Sequence, residues 1–492
     1  MRIDMKKLRF KVQLVVFSDE EDGSGSYEAG SEEVIELAVL DKDCEKIEQL
    51  GLNISESKEI LKTLQKHILE RQVATFVEER RVCSGCGTRL GLKGHHTIIF
   101  RTLFGDVALD SPRFRRCRCS SGVVATFSPL TELLTEHTSP ELLYLQTKWS
   151  SLISYGMTAE MLKDVLPVDE KMNAATVRNH ALEIARHFEE ALGEEQFSFI
   201  DSCPRDWKEL LRPDGPMTVG IDGGYVRDWT NKKSHFEVIV GRSARWEGDA
   251  KRFGFVHGYD DKPKRRLFEL LESQGMQMNQ QITFISDGAD NVRGLQFYLN
   301  PHAEHVLDWF HMTMRITALD QYAKGVVRLD EKLGEEIRED LRRVKWYCWH
   351  GNVYEAVRHI RFAEMDAETL LYELEETHTT GDHRKLRKLL KAIGEFRSYI
   401  ESNAEMIPNY GERHRHGEAI STAAVESAVN AVVNKRFCKK QQMQWSREGA
   451  HLLLQNRTRT LNRELADTFR QWYPEFTCAD GEQEDEPLGS VA

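Results

Sequence analysis

The sequence contains no apolar run long enough to cross a membrane, since none approaches the roughly 18 consecutive apolar residues that a spanning helix requires. The start of the chain, MRIDMKKLRF, also lacks the apolar core of a secretory signal peptide. Both absences argue against a membrane protein and a secreted protein, so we expect a cytoplasmic one. No internal repeat is present either, and 492 residues are too many for one compact core. The length predicts two to four domains.

The chain also lacks an excess of positive charge, since 67 basic against 79 acidic residues give a net charge of −12. The excess negative charge lies at the two ends: residues 1–70 hold ten basic and sixteen acidic side chains, and residues 475–492 hold six acidic and no basic ones. Basic stretches lie between them, with ten Lys and Arg against four Asp and Glu in residues 71–120, and eight against one in residues 435–463. Such local patches can bind phosphates despite the acidic total.

Hydrophobic periodicity divides the chain into helical and strand-rich parts. Helical spacing of apolar residues begins at Ser55 and returns over residues 130–200. Between these parts, HHTIIFRTLFGDVALDSPRF has the alternation and central Gly-Asp of a β-hairpin. From Met217, three strands in succession are followed by strand–helix–strand units, a pattern that predicts a mixed α/β sheet. Residues 312–405 are again helical and charged.

Four of the nine cysteines crowd into a segment of 37 residues, as Cys83-x-x-Cys86 and Cys117-x-Cys119 on either side of the predicted hairpin. Two close pairs, each in a tight turn, are typical of a structural zinc site with four thiolate ligands. His95 and His96 are possible substitute ligands. The alternative is four reduced cysteines that hold no metal.

Two aspartates end predicted strands and precede glycine: Asp222 in VGIDGG and Asp287 in FISDGAD. Carboxylates placed together at a strand end repel each other unless a divalent cation lies between them. Mg²⁺ favours such oxygen ligands, and two such ions support phosphoryl transfer. The alternative for each aspartate is a turn or capping role.

The segments VGIDGGYV, FISDGAD, VLDWFHM and TAAVESAVNAVVNKRFCKKQQMQWSREGA, in this order, resemble the DDE transposases of bacterial insertion sequences. The resemblance is greatest to the ISKra-type group and more distant to mutator-like and ISL-type enzymes. The motifs CSGCG, RRCRC and PELLYLQTKWSSLISYG also look like parts of that group's N-terminal region. The resemblance covers most of residues 55–470.

The resemblance implies an α/β fold: an RNase H-like mixed-sheet catalytic core with an all-helical insertion, preceded by a helical and zinc-binding β-hairpin region. It implies that Asp222, Asp287 and Glu426 bind Mg²⁺ or Mn²⁺. Glu412 and Glu418 are alternative candidates for the third carboxylate, but the apolar helix face beside Glu426 favours Glu426. Asn430, one helical turn further on, is a candidate supporting residue. Asp308-x-x-His311 matches a motif after the second Asp, and it either orients the carboxylates or contacts DNA. A structural hydrogen bond within the turn is its alternative.

The expected domains follow from these patterns. They are an acidic segment (1–54), a helix with the four-cysteine zinc module (55–129), a helical DNA-binding region (130–203), the core (217–311), a helical insertion (312–410), the C-terminal helices of the core (411–470) and an acidic tail (471–492).

The basic residues after Glu426 lie beside an aromatic side chain, a combination that suits phosphate contact and base stacking. The candidate DNA-binding residues are Lys435, Arg436, Lys439, Lys440 and Trp445. A solvated helix surface with a core Trp explains the same residues.

The functional hypothesis is therefore a transposase. It would bind the ends of its element in double-stranded DNA, hydrolyse phosphodiester bonds to free 3′-hydroxyls and join these to target DNA. The resemblance also implies a bacterial protein that associates with the nucleoid when bound to DNA, and a homo-oligomer that pairs two ends. Two alternatives stay open: a domesticated, catalytically silent DNA-binding protein, and a stand-alone RNase H-like nuclease.

Overall fold

The structure is a computed structural model of the chain. It describes residues 8–17, 32–43, 46–119, 125–200, 205–211, 213, 215–245, 248–289, 294–295, 299, 303–376, 383–422, 427–438 and 444–478. The described residues fall into two compact units, with the bounds Met1–Ile184 plus Glu464–Ala492 for the first and Ala185–Arg463 for the second. No helix among these residues is both long and apolar enough to cross a membrane.

The described strands are β1 (Leu8–Phe17), β2 (Glu32–Lys42), β3 (Leu92–Thr102), β4 (Gly105–Arg115), β5 (Thr126–Phe127), β6 (Met217–Arg227), β7 (His235–Arg245), β8 (Lys251–Val256), β9 (Ile282–Ser286) and β10 (Glu304–Leu307). The α-helices are α1 (Ile54–Glu79), α2 (Pro129–Leu133), α3 (Pro140–Leu152), α4 (Tyr155–Val165), α5 (Ala174–Ala191), α6 (Pro263–Ser273), α7 (Trp309–Val326), α8 (Glu331–Trp349), α9 (Val353–Glu376), α10 (Arg384–Ser402), α11 (Tyr410–Arg415), α12 (Arg447–Leu461) and α13 (Leu465–Trp472). Short 3₁₀ turns cover Ile47–Gln49, Asp206–Glu209 and Ala404–Met406, and a π-helix covers Asn430–Cys438. The mixed α/β class is thereby confirmed.

The first unit contains two small antiparallel sheets and several helices. The strands β1 and β2 pair with each other, and β3, β4 and β5 form a second sheet in that order. A capping box starts α1, because Asn53 and Glu56 exchange side-chain and backbone hydrogen bonds. The residue that caps this helix is therefore Asn53. Alternate residues of β4 are buried, and they pack with Leu130 of α2 into the core of this unit.

The second unit is built on a five-stranded mixed sheet in the order β10-β9-β6-β7-β8. The strands β6, β7 and β8 follow one another as antiparallel neighbours, whereas β9 and β10 lie parallel to β6 on its other side. All five residues of β9 are buried, as expected for a strand inside a sheet. Because β6, β9 and β10 are parallel, their carboxyl ends meet at one edge of the sheet.

The helices α7 to α11 follow β10 and bury a long apolar cluster of their own. Ile285, Val306 and Leu307 of the sheet belong to the same cluster, so the helical segment packs directly on β9 and β10. A separate cluster joins β6, β7 and β8 to Leu267 and Leu271 of α6. The helices thus hold the sheet edge where the candidate site lies.

Candidate functional site

Two aspartates lie at the same register on neighbouring parallel strands. Gly220 of β6 pairs with Ile285 of β9. Asp222 and Asp287 each come two residues beyond that pair along their own strands. The parallel register therefore places both residues at the same level, just past the last pair that joins β6 to β9. The prediction that Asp222 ends its strand is wrong, because β6 continues to Arg227 in pairing with β7.

A third aspartate lies level with these two. Ser286 of β9 pairs with Leu307 of β10, and the next residue on each strand is Asp287 and Asp308. The three parallel strands thus carry aspartates at matching register, in the order Asp308, Asp287, Asp222 across the sheet. The carboxylate oxygens of these three described residues do not all lie within 4.8 Å of one another.

The side chain of Asp222 is half-buried, just past the last residue pair that joins β6 to β9. Its Oδ1 accepts a hydrogen bond of 2.8 Å from the backbone N–H of Gly223. Burial raises the pKa of Asp222 above its ordinary value, and the negative charge of Asp287 adds to this, whereas the Gly223 amide and His311 act in the opposite direction. A bound cation would favour the ionised form in the same place.

The loop of Asp287 is fixed from both sides. Its Oδ1 accepts from the N–H of Ala289 at 3.1 Å, and the hydroxyl of Tyr399 on α10 donates to its backbone carbonyl at 3.0 Å. Gly288 has a φ of +84°, and a side chain there would collide with the amide of Asn403. The glycine after Asp287 is therefore required both by backbone conformation and by the close approach of α10.

Asp308 is fully buried, with 0% of its surface exposed, and it accepts four hydrogen bonds. The donors are the N–H of Phe310 at 2.8 Å, the N–H of Thr422 at 3.1 Å, the Thr422 hydroxyl and Nδ1 of His311 at 2.6 Å. Burial alone would raise the pKa of Asp308, but the bonds from His311 and Thr422 outweigh it and hold the pKa below its ordinary value. Asp308 is thus an ionised anchor and not a solvent-facing ligand.

His311 lies between this anchor and the other two carboxylates. With Nδ1–H donated to Asp308, the free position of the ring is Nε2, and 32% of the side chain is exposed. The hydrogen bond to Asp308 raises the pKa of His311; burial opposes this, and the charges of Asp222 and Asp287 add to the increase. Asp308 and His311 therefore form an oriented acid–imidazole pair near Asp222 and Asp287.

Glu426 lies outside the described residues. The segment before it, which contains Ile420 and Thr422, is hydrogen-bonded to Asp308 and to the start of α7. Besides the bonds of Thr422, the carbonyl of Ile420 accepts from the N–H of Trp309 at 3.1 Å. The competitor Glu418 forms an ion pair of 3.0 Å with Arg413. The other competitor, Glu412, is exposed on α11.

The π-helix after Glu426 packs on the strand that carries Asp222. A Cβ built on Gly224 would lie 3.6 Å from methyl groups of both Val429 and Val433. Asn430, proposed as a supporting residue, is exposed at the start of this helix.

Two of the five candidate DNA-binding residues, Arg436 and Trp445, are not on the surface as predicted. Arg436 and Trp445 are buried, with 0% and 3% of their surfaces exposed, and the guanidinium lies 5.2 Å from the centre of the indole ring. Neither is a surface contact for a phosphate or a base, because the helix turns this side inward. Lys435 is exposed, and Lys439 and Lys440 lie outside the described residues.

The four clustered cysteines come together in the first unit as a group that could hold a metal ion. The sulfur atoms of Cys83 and Cys119 are 3.4 Å apart, as are those of Cys86 and Cys117. A zinc ion with four sulfur ligands at about 2.3 Å spaces them at about 3.8 Å. Gly87 has a φ of +69° and donates its N–H to the carbonyl of Cys83, which closes the first turn.

The cluster favours thiolates at some of its positions. Hydrogen bonds with Thr88 lower the pKa of Cys86 to about 6, and the hydrogen bond from the Gly85 amide is the largest cause that lowers the pKa of Cys83. Hydrogen bonds with Cys83 and the other thiols raise the pKa of Cys119 to about 12. A cation would allow all four to ionise together.

Neither proposed substitute ligand belongs to this cluster. Nδ1 of His95 instead lies 2.8 Å from a carboxylate oxygen of Asp110 on the neighbouring strand. His96 is exposed on β3.

A second group of possible metal ligands, Glu189, Asp260 and His451, was not predicted. Arg266 already fills it: its guanidinium donates to Glu189 at 2.8 and 3.0 Å and to Asp260 at 2.9 Å. Burial opposes ionisation of Glu189, but bonds from His451 and Arg266 lower its pKa to about 2. The chain thus supplies its own cation, and this group is a structural ion-pair network. No sequence motif predicts this ion-pair network, because its residues come from segments that are far apart in the chain.

Comparison with known proteins adds no assignment: no model of a known protein family matches the chain, and no curated protein matches it. The function proposed below therefore depends on the geometry of the site and on the resemblance of the motifs.

Proposed function

We propose that this protein is a DDE-type transposase, which hydrolyses phosphodiester bonds at the ends of its element and joins the freed 3′-hydroxyls to target DNA. The observation that carries the proposal is the common register of Asp222 and Asp287 on adjacent parallel strands, each two residues beyond the last pair, Gly220 and Ile285. Two half-buried carboxylates at the same level of adjacent strands favour a divalent cation. A resident ion is thus the simplest reason for the pair.

The sheet order supports an RNase H-like core. Three successive antiparallel strands, with two further strands parallel to the first on its other side, make the mixed sheet expected from the resemblance. The carboxylates lie at the first strand and at its parallel neighbour. Glu426 would complete the set from the segment that Thr422 ties to Asp308.

Asp222, Asp287 and Glu426 would hold Mg²⁺ or Mn²⁺. A bound pair of such ions supplies an activated oxygen nucleophile and stabilises the leaving 3′-oxygen. In the hydrolytic step the oxygen of water bonds to phosphorus, and the bond to the 3′-oxygen breaks. In the joining step the oxygen of that 3′-hydroxyl bonds to a phosphorus of the target strand, the bond from this phosphorus to the target's 3′-oxygen breaks, and the released 3′-oxygen takes up a proton. His311, oriented by Asp308, would position the carboxylates for both steps.

The four-cysteine cluster fits a structural zinc ion that stabilises the β3–β4 hairpin and the segments flanking it. Its four ligands are all sulfur, which leaves no open position for catalysis. The zinc module and the helices of the first unit would contact the element's end DNA, and two copies of the chain would pair two ends.

The test is Mg²⁺-dependent cleavage of a duplex that contains the DNA flanking the gene. We expect the wild-type protein to release 3′-hydroxyl ends and Asp222→Asn and Asp287→Asn to bind the duplex without cutting it. Asp261→Asn is the matched control, since Asp261 is exposed in the same unit. Wild-type protein that binds the duplex but never cuts it would instead favour the catalytically silent DNA-binding protein.

A further inference from the structure

The turn between β6 and β7, residues 227–235, is a rigid and exposed loop. Its base is closed by the N–H of Asp228, which donates to the carbonyl of Ser234 at 3.1 Å. Asp228 is buried, and its Oδ1 accepts from the N–H and the hydroxyl of Thr230 at 2.8 and 2.6 Å. The N–H of Trp229 donates to the carbonyl of Trp445 at 2.9 Å. The loop is thus stabilised by its own hydrogen bonds to Asp228 and by the hydrogen bond to Trp445, which precedes α12.

The outer side of this turn is basic. Arg227, Lys232 and Lys233 are exposed, and the single acidic residue of the turn, Asp228, is buried beneath them. Arg447 lies beside that carboxylate at 3.6 Å and offsets its charge. The surface presented to solvent therefore carries uncompensated positive charge.

One of these cations is held in place. Nζ of Lys232 lies 4.5 Å from the centre of the Trp229 ring, and Nε of Arg227 donates to the carbonyl of Lys232 at 3.2 Å. A cation over an aromatic ring loses less freedom when it binds an anion, because its position is already restricted.

We propose that this turn, defined by Arg227, Trp229, Lys232 and Lys233, binds the phosphodiester backbone of duplex DNA. Arg227 ends the strand that carries Asp222, five residues further on, a distance of about 17 Å at 3.3 Å per residue. A duplex with one phosphate at the carboxylates can therefore reach the turn with phosphates a few nucleotides away. The inference rests on the proposed function for that placement, and it replaces the buried Arg436 and Trp445 as the DNA contact.

The experiment measures binding of a labelled 30-base-pair duplex of mixed sequence to the full chain by fluorescence anisotropy, over a series of salt concentrations. The test variant is Lys232→Ala with Lys233→Ala. The matched control is Lys388→Ala with Lys391→Ala on α10: Nζ of Lys388 also lies over an aromatic ring, 4.6 Å from the centre of Tyr322, and both lysines are exposed. Each variant removes two positive charges from the second unit.

We expect the test variant to reduce the slope of log affinity against log salt by about 2, because each lost phosphate contact changes it by about 0.9. Its affinity at low salt should fall at least tenfold, whereas the control should match the wild type. An unchanged slope and affinity in the test variant would overturn the inference, and so would an equal loss in the control.

The two proposals fail in different ways. Cleavage by the wild type, together with wild-type affinity in the test variant, would remove the turn from the DNA contact and leave the catalytic proposal standing. Salt-dependent binding through the turn without any Mg²⁺-dependent cleavage would support the contact and contradict the catalysis.

Discussion

Thr422 donates both its backbone N–H and its side-chain hydroxyl to the buried carboxylate of Asp308. The two residues are 114 positions apart in the chain. This double contact joins the end of β10 to the segment that leads to Glu426. It gives a positioning role to Thr422, the first residue of the TAAVES segment, to which the sequence alone assigned no role.

Thr422→Val should therefore destabilise the second unit and reduce Mg²⁺-dependent cleavage. A hydrogen bond to a charged acceptor contributes about 1.5–3 kcal/mol, and the valine would leave Asp308 with one donor fewer. Urea unfolding and cleavage rates check this. Thr422→Ser keeps the hydroxyl and should retain both properties, so equal behaviour of the two variants would refute the role.

Gly288→Ala should destabilise the protein more than Gly417→Ala. Both glycines have positive φ, +84° and +72°, and each alanine should cost about 1–2 kcal/mol from the left-handed backbone alone. Only Gly288 is also crowded, since its Cβ would lie 2.9 Å from Leu307 and closer still to Asn403, whereas a Cβ on Gly417 would meet no atom of the described residues within 4 Å. Overpacking adds about 1–3 kcal/mol. Equal free energies of unfolding for the two variants would contradict the close packing at Asp287.

The stability of the first unit should depend on the protonation of Asp106. Burial, together with the neighbouring carboxylate of Asp169, raises the pKa of Asp106 to about 6. The folded state therefore binds a proton that the unfolded state has lost above about pH 4, so this contribution to stability falls as the pH rises from about 4 to 6. The pKa of Asp169 is lowered, chiefly by the Lys171 amide, so the pair shares one proton.

Asp106→Asn cannot ionise, but its amide can still donate to Asp169. We expect it to raise the melting temperature by a few degrees at pH 8 and to change it little at pH 4. The exposed Asp164→Asn serves as control. An Asp106→Asn variant that melts lower than wild type at pH 8 would show that the raised pKa is wrong.

The purified protein should contain one zinc ion per chain, and Cys83→Ser should lose it, because one of four thiolate ligands is then missing. Cys478→Ser removes a thiol outside the cluster from the same unit and should retain the ion. Atomic absorption measures both. Zinc-free wild-type protein would leave four reduced cysteines as the explanation.

Much of this arrangement follows from local sequence. The alternation in residues 95–115 predicts the hairpin that β3 and β4 form, and the Asp-Gly pair after an apolar run places Asp287 directly after its strand. These features depend on neighbouring residues, so a single segment contains the information. For Asp222 the same pattern predicts a strand end, whereas β6 continues to Arg227.

The rest depends on contacts between distant segments. A sequence pattern shows that Arg436 lies on a basic helix, but only the packing of that helix shows that the guanidinium lies inside against Trp445. The same holds for Glu189 and Arg266, whose opposite charges meet across 77 positions. The strand β2 was also not predicted, because its charged residues obscure the alternation of apolar and polar side chains.

The helical insertion also constrains when the site can form during folding. The loop of Asp287 is completed by Tyr399, 112 positions later, and Asp308 by Thr422, 114 positions later. Closing such long loops is slow compared with forming the hairpins of β6, β7 and β8. A chain still under synthesis, or one cut within α7 to α11, would therefore contain the first carboxylates without a rigid site around them. Under the proposed function, an incomplete copy would therefore be unable to cut DNA.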